Sequence, residues 1–378
     1  MSLLPNIPTV NFATGADMIA VAMLANQTVL LIGDPGVGKS AIMYKAAEDM
    51  GLPLHVLLGS TLDPTDIGGL PMRSPDGSHI IRIPLQEIQE CSEKPGVLFL
   101  DEISAAPGPV QAAMLRLILE RKAGSVTLHA ETRVVAACNP PEQAPAGFEL
   151  SAPLMGRMAV VNFRPDDNEV IEHLRTLGSD DDNASPMEKA VRDEALLFAA
   201  VTNATPELLQ IEIPKECING GQPWASPRSC ERMIRARAAA TVAGVDPLSD
   251  AVYALTAGSM GERAAITYQG IVKMITELPS VDEIVQDPEN CLCPLDKTKQ
   301  VAALGLMPRL AKLNLWAAYM YAIRLKPEFA LAAHKALVPM AKYQPALTDK
   351  LTKAGIAARA KLTAMVGGPV KAQVSKAA

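Results

Sequence analysis

The strongest constraint on this chain is an eight-residue run, Gly33-Asp34-Pro35-Gly36-Val37-Gly38-Lys39-Ser40, set between an apolar stretch and a stretch suited to a helix. It satisfies GxxxxGK[ST]. Glycines at this spacing let the backbone wrap closely around an anion with its N–H groups turned inward. The helix that follows aims the positive end of its dipole at the same point. Asp34, Pro35, Gly36, Val37, Gly38, Lys39, Ser40 and Ala41 are therefore candidates for holding ATP. Lys39 would reach the outer phosphates, and the Ser40 hydroxyl would ligate Mg²⁺.

Apolar runs and amphipathic stretches alternate around this loop. Residues 28–32 (TVLLI), 54–58 (LHVLL), 97–100 (VLFL), 133–138 (RVVAAC) and 158–163 (MAVVNF) are short and continuously apolar, as strands buried on both faces are. Residues 40–50 and 110–122 fit helices, the second with Val110, Ala113, Met114, Leu117 and Ile118 on one face and Gly124 as its stop. This alternation predicts an α/β fold, an αβα sandwich with a five-stranded parallel sheet. Within it, residues 68–85 read as an inserted β-hairpin turning at Ser74-Pro75-Asp76-Gly77. Helical patterns dominate after Arg164-Pro165, among them residues 188–203 and 226–244, the latter opened by Ser226 as N-cap and Pro227 at the first position. The expected division is a nucleotide-binding core over 1–165, an all-α lid over 166–278, and a linker with a C-terminal helical extension over 279–378. The tail beyond Pro369 is expected to fray.

Two further patterns carry chemistry. The run 97–100 ends in Asp101-Glu102. An acid at the end of a buried strand can hold Mg²⁺ through water, and its neighbour can orient or deprotonate an attacking water. Asn139 ends the next apolar run, where its amide would sit beside the last phosphate. Catalysis is accordingly assigned to Glu102 and Asn139, and the metal to Ser40 and Asp101.

Bulk properties narrow the partners. A net charge of -6 and 4% aromatic content give neither the basic balance nor the stacking residues of a nucleic-acid binder. The six cysteines are mostly scattered singly, as in a reducing compartment; only Cys291 and Cys293 are close, with no second pair to complete a metal site. No leader or membrane span is legible, and a cytoplasmic location is expected.

The stretches LDEISAAPGPVQAAMLRLILERKAG, ACNPPEQ and LSAPLMGRM, in this order after the loop at 33–40, resemble the AAA+ ATPases of the MoxR-like and dynein-related group. The resemblance covers roughly residues 20–245. It implies ATP hydrolysis in a homo-oligomeric, usually hexameric ring, and it makes the hairpin at 68–85 the insert of the second helix that marks this branch. Arg157, in MGRM, matches the arginine finger that reaches the neighbouring subunit's nucleotide; Gly156 and Met158 stand where relatives often have an acid and an aromatic. Arg116 and Arg121 are the reserve candidates. Arg228 matches the second sensor. Relatives remodel a protein client, often beside a von Willebrand factor A domain protein, and the hairpin is expected to touch that client. A nucleic-acid-coupled motor and a nucleotide-gated scaffold with little hydrolysis are the alternative readings.

Overall fold

The computed structural model describes residues 6–143 and 149–341. The tail beyond Pro369 and the last part of the helical extension lie outside the described residues. Contacts divide the chain into two compact units. The first comprises residues up to 169 together with 211–220; the second comprises 170–210 and the chain from 221 onward.

Among the described residues the strands all lie in the first unit: β1 (Thr9–Val10), β2 (Val29–Ile32), β3 (Leu54–Leu58), β4 (Leu70–Arg73), β5 (Ile80–Ile83), β6 (Val97–Asp101), β7 (Lys122–Ala123), β8 (Val126–Thr127), β9 (Arg133–Cys138) and β10 (Ala159–Phe163). Six of them form a sheet in the order β1-β10-β2-β9-β6-β3, and every neighbouring pair runs parallel. The sheet therefore has six strands where the apolar runs predicted five. The additional strand, β1, has two residues, too few to show a period. It is held by the Asn162 N–H donating to Pro8 and the Arg164 N–H donating to Val10.

The central strands are buried on both faces because their sequences carry no polar side. Val29, Leu30, Leu31 and Ile32 are all buried, as are Val97, Leu98, Phe99 and Leu100. Each such side chain contributes roughly 1.5–3 kcal/mol on leaving water. The helix Gly108–Glu120 closes one face with Val110, Gln111, Met114 and Leu117. It does not stop at Gly124. Arg121 takes the left-handed conformation at its end, and its guanidinium donates to Asn26 Oδ1 and to the carbonyls of His129 and Thr132. Those bonds offset the backbone cost of a non-glycine residue there. Gly124 instead makes the turn between β7 and β8.

The insert is an antiparallel hairpin with Leu70 opposite Ile83 and Met72 opposite Ile81. It is fastened at Arg82, whose N–H donates to Ser125 Oγ and whose carbonyl accepts from the Ser125 N–H. A Cβ on Gly124 would come within 2.5 Å of the Arg82 carbonyl oxygen, so the two hairpins can meet this closely only through glycine.

The second unit is helical, including Pro186–Thr202, Pro227–Val242, Asp250–Met260, Glu262–Ile275, Lys297–Ala322 and Pro327–Ala341. Ser226 caps Pro227–Val242 by accepting from the Ser229 N–H. Where the composition suggests a linker, Ser280 and Glu283 form a capping box that starts the helix Val281–Gln286. In the same unit the buried Arg237 donates to Glu194 at 2.7 Å, and the Tyr268 hydroxyl donates to the same carboxylate oxygen at 2.8 Å. No described helix is long and apolar enough to cross a membrane.

Candidate functional site

Three neighbouring strands, β2, β9 and β6, end at the same edge of the sheet. Chemistry-bearing side chains follow each of them. The crevice beyond the carboxyl ends of parallel strands is where such sheets bind ligands.

After β2 the chain forms the loop 33–38 and enters the helix Lys39–Asp49. Gly36 and Gly38 have φ values of 80° and 99°, a region that side chains other than glycine adopt only with strain. A Cβ on Gly38 would meet nothing within 4 Å, so that position is open and its requirement for glycine is conformational. Gly33 differs: a Cβ there would lie 2.5 Å from the Phe163 carbonyl oxygen, which lets the loop leave β2 tightly against β10. Lys39 is buried. Its ammonium donates to the carbonyls of Gly33 at 2.6 Å and Asp34 at 3.0 Å and to Asn139 Oδ1 at 2.8 Å. Asn139, following β9, thus faces the loop that follows β2.

Ser40 Oγ donates to Asp101 Oδ2 at 3.1 Å. A hydroxyl and a carboxylate are thereby placed side by side at the ends of a helix and a buried strand. Oxygen donors of this kind fit Mg²⁺, which takes few protein ligands and keeps several waters. Glu102 is in the left-handed region, φ 53° and ψ 38°. Asp101 Oδ1 accepts from the Glu102 N–H at 2.9 Å, which helps hold that conformation. The Glu102 carboxylate accepts from Ser60 Oγ at 2.7 Å. A Cβ on Gly59 would sit 2.7 Å from the Glu102 carbonyl oxygen, so β3 can deliver Ser60 here only because residue 59 has no side chain. Non-glycine residues held in this conformation cost about 1–3 kcal/mol and cluster at functional sites.

Cys138, the last residue of β9, immediately precedes Asn139. Burial pushes its thiol up to about 12, against the pull of the Lys39 charge. It is a neutral packing group and no nucleophile.

The arginines separate by their partners. Arg116 pairs with Glu120 at 3.0 Å on its own helix, and Arg121 is bound to the backbone as described. Arg157 is exposed just before β10, and its guanidinium has no partner among the described residues. Arg228 is exposed at the start of Pro227–Val242 in the second unit. Cys291 and Cys293 join no metal-holding cluster among the described residues; the Cys291 sulfur lies against Arg324.

Several functional candidates were not legible in the sequence. Ser60 is an ordinary residue after a strand and meets Glu102 across 42 positions. Gln143 and Ile213 both reach the side chain of Asp34, which turns toward them. No local pattern marks such pairs.

Residues 29–165 match the model of the ATPase family associated with various cellular activities, AAA. That match spans somewhat over a third of the chain. A stretch of 154 residues is 30% identical to the Nif-specific regulatory protein of Bradyrhizobium diazoefficiens, covering 38% of this chain and 26% of that protein. The match thus spans about a quarter of that relative's length. Among solved structures, the RuvB Holliday junction branch migration motor of Thermotoga maritima aligns with a TM-score of 0.38 and 15% identity over 70% of this chain and 74% of its own. A candidate ATPase of Cytophaga hutchinsonii aligns with a TM-score of 0.36 and 16% identity over 67% and 82%.

Proposed function

We propose that this chain is an ATP-hydrolysing subunit of a ring, and that it remodels a protein client in the manner of the MoxR-like ATPases. The carrying observation is the convergence of Lys39, Ser40, Asp101, Glu102 and Asn139 at the ends of three adjacent strands.

In this reading the N–H groups of 34–41 and the helix N-terminus hold the phosphates, and Lys39 adds the compact positive charge. Ser40 and Asp101 would hold Mg²⁺. When bound, the ion neutralises charge developing on the phosphate oxygens. Glu102 would take the proton of the water whose oxygen bonds to the terminal phosphorus as the bond from that phosphorus to ADP breaks. A phosphate oxygen arriving at Lys39 competes with Asn139 Oδ1 for the ammonium, which frees the amide to orient that water. Lys39→Ala removes a charge-assisted donor and is expected to weaken MgATP binding by about a hundredfold. Calorimetry on the folded variant checks this, and native-like affinity would remove Lys39 from the site.

Ser60 holds Glu102 by one hydrogen bond. The bond draws the carboxylate toward β3 and competes with its use as a base. Ser60→Ala is expected to raise basal turnover by roughly threefold to tenfold, the worth of one such bond. Unchanged or lower phosphate release would show that Ser60 does not restrain Glu102.

The client reading draws support from the hairpin. Leu70, Met72, Ile80 and Ile83 are exposed on it, and Arg73 and Arg82 lie among them. A concentration of exposed apolar residues marks an interaction surface. Replacing residues 72–84 by a short turn is expected to leave ATP turnover in place and to abolish action on a client. A chain that no longer folds after that replacement would sink the assignment, since the hairpin would then be part of the core.

A further inference from the structure

Within the loop 33–40, Asp34 is out of keeping with an anion site. It is a carboxylate, only 5% exposed, placed where a triphosphate would gather negative charge. Such a group weakens nucleotide binding unless it contributes something larger. Its contacts indicate what that is. One carboxylate oxygen accepts from Gln143 Nε2 at 2.8 Å, and the other accepts from the Ile213 N–H at 3.2 Å. Gln143 belongs to the turn that follows Asn139. Ile213 belongs to 211–220, a segment of the first unit flanked on both sides in sequence by the second. The preceding residue, Glu212, pairs with Arg164 after β10. Two consecutive residues of this segment are thus tied to the first unit, one of them through the loop itself. A carboxylate is the one side chain of this length with two acceptors and no donor. An asparagine would turn an NH₂ group toward one of the two donors.

We propose that Asp34 is a positioning residue for the nucleotide: its carboxylate clasps the turn after β9 and the segment 211–220 to the loop 33–40, and so fixes the chain that borders the bound nucleotide. The proposal rests on the nucleotide-site reading above. It makes two opposed effects separable. If repulsion between Asp34 and phosphate dominated, removing the charge would tighten MgATP binding. If the clasp dominates, removing it weakens binding, and Asp34→Asn is weakened as well although its charge is gone.

The test is MgATP affinity, KM and kcat for the native chain, Asp34→Ala, Asp34→Asn and Gln143→Ala, with hydrogen exchange at the Ile213 amide. Asp34→Ala is expected to raise Kd and KM about tenfold, with kcat changing far less, and to speed exchange at Ile213. Asp34→Asn should follow in the same direction with a smaller change, and Gln143→Ala, which removes one arm, should be smaller again with exchange at Ile213 retained. Equal or tighter binding by both Asp34 variants overturns the clasp, whatever the exchange shows. Should Asp34→Ala fail to fold, native affinity in both Asp34→Asn and Gln143→Ala overturns it equally. A native chain that binds no MgATP defeats the nucleotide-site reading and this proposal with it. A native chain that binds, beside variants that bind equally, defeats the clasp alone.

Discussion

Arg157→Ala is expected to bind MgATP like the native chain and to lose about a thousandfold or more in turnover, the effect of an arginine that neutralises transition-state charge. Arg116 is held by Glu120 and Arg121 by backbone carbonyls, whereas Arg157 is exposed with no described partner. An exposed guanidinium is free to act on a second copy of the chain. In that case turnover per chain rises with protein concentration as rings assemble, and Arg157→Ala abolishes the rise. The measurement is phosphate release across a dilution series with sizing in parallel. A flat native rate with near-normal activity of Arg157→Ala would remove the finger and the main support for a shared site.

Glu102→Gln is expected to bind MgATP with native affinity and to turn it over roughly 10²–10⁴-fold more slowly, the range for loss of a positioned general base. The substitution preserves shape, and its amide oxygen can still accept from Ser60 Oγ. The left-handed backbone at 102, the Gly59 contact and the Asp101 bond to the Glu102 N–H do not depend on the side-chain charge. Loss of turnover would then report on proton transfer. Binding measured on the same preparation separates this from collapse of the site. Turnover within a few-fold of native would mean that another group takes the proton.

How much of this was legible in the sequence depends on the distance over which each feature is determined. The loop 33–40, the acids after 97–100 and Asn139 are local patterns, each an apolar run followed by particular residue types, and the structure brings them together. The cap at Ser226 was legible for the same reason. Features determined by packing were not. Strand β1 is two residues long and exists because Pro8 and Val10 accept from the strand beside them. The helix Gly108–Glu120 ends before its nearest glycine because Arg121 finds backbone acceptors contributed from 129 and 132. Gln143 lies 109 positions from Asp34, and Ile213 lies 179. Neither pair has a spacing that periodicity or a motif could reveal. The resemblance to a ring-forming family supplied roles for Arg157 and Arg228 that their surroundings alone would not have suggested.

The most direct test of the central claim, that these residues hydrolyse ATP, is steady-state phosphate release by the native chain at saturating ATP, with Mg²⁺ present and then withdrawn by chelation. Release is expected to require Mg²⁺ and to return when the ion is restored. MgATP binding without release, or release indifferent to the ion, would contradict it.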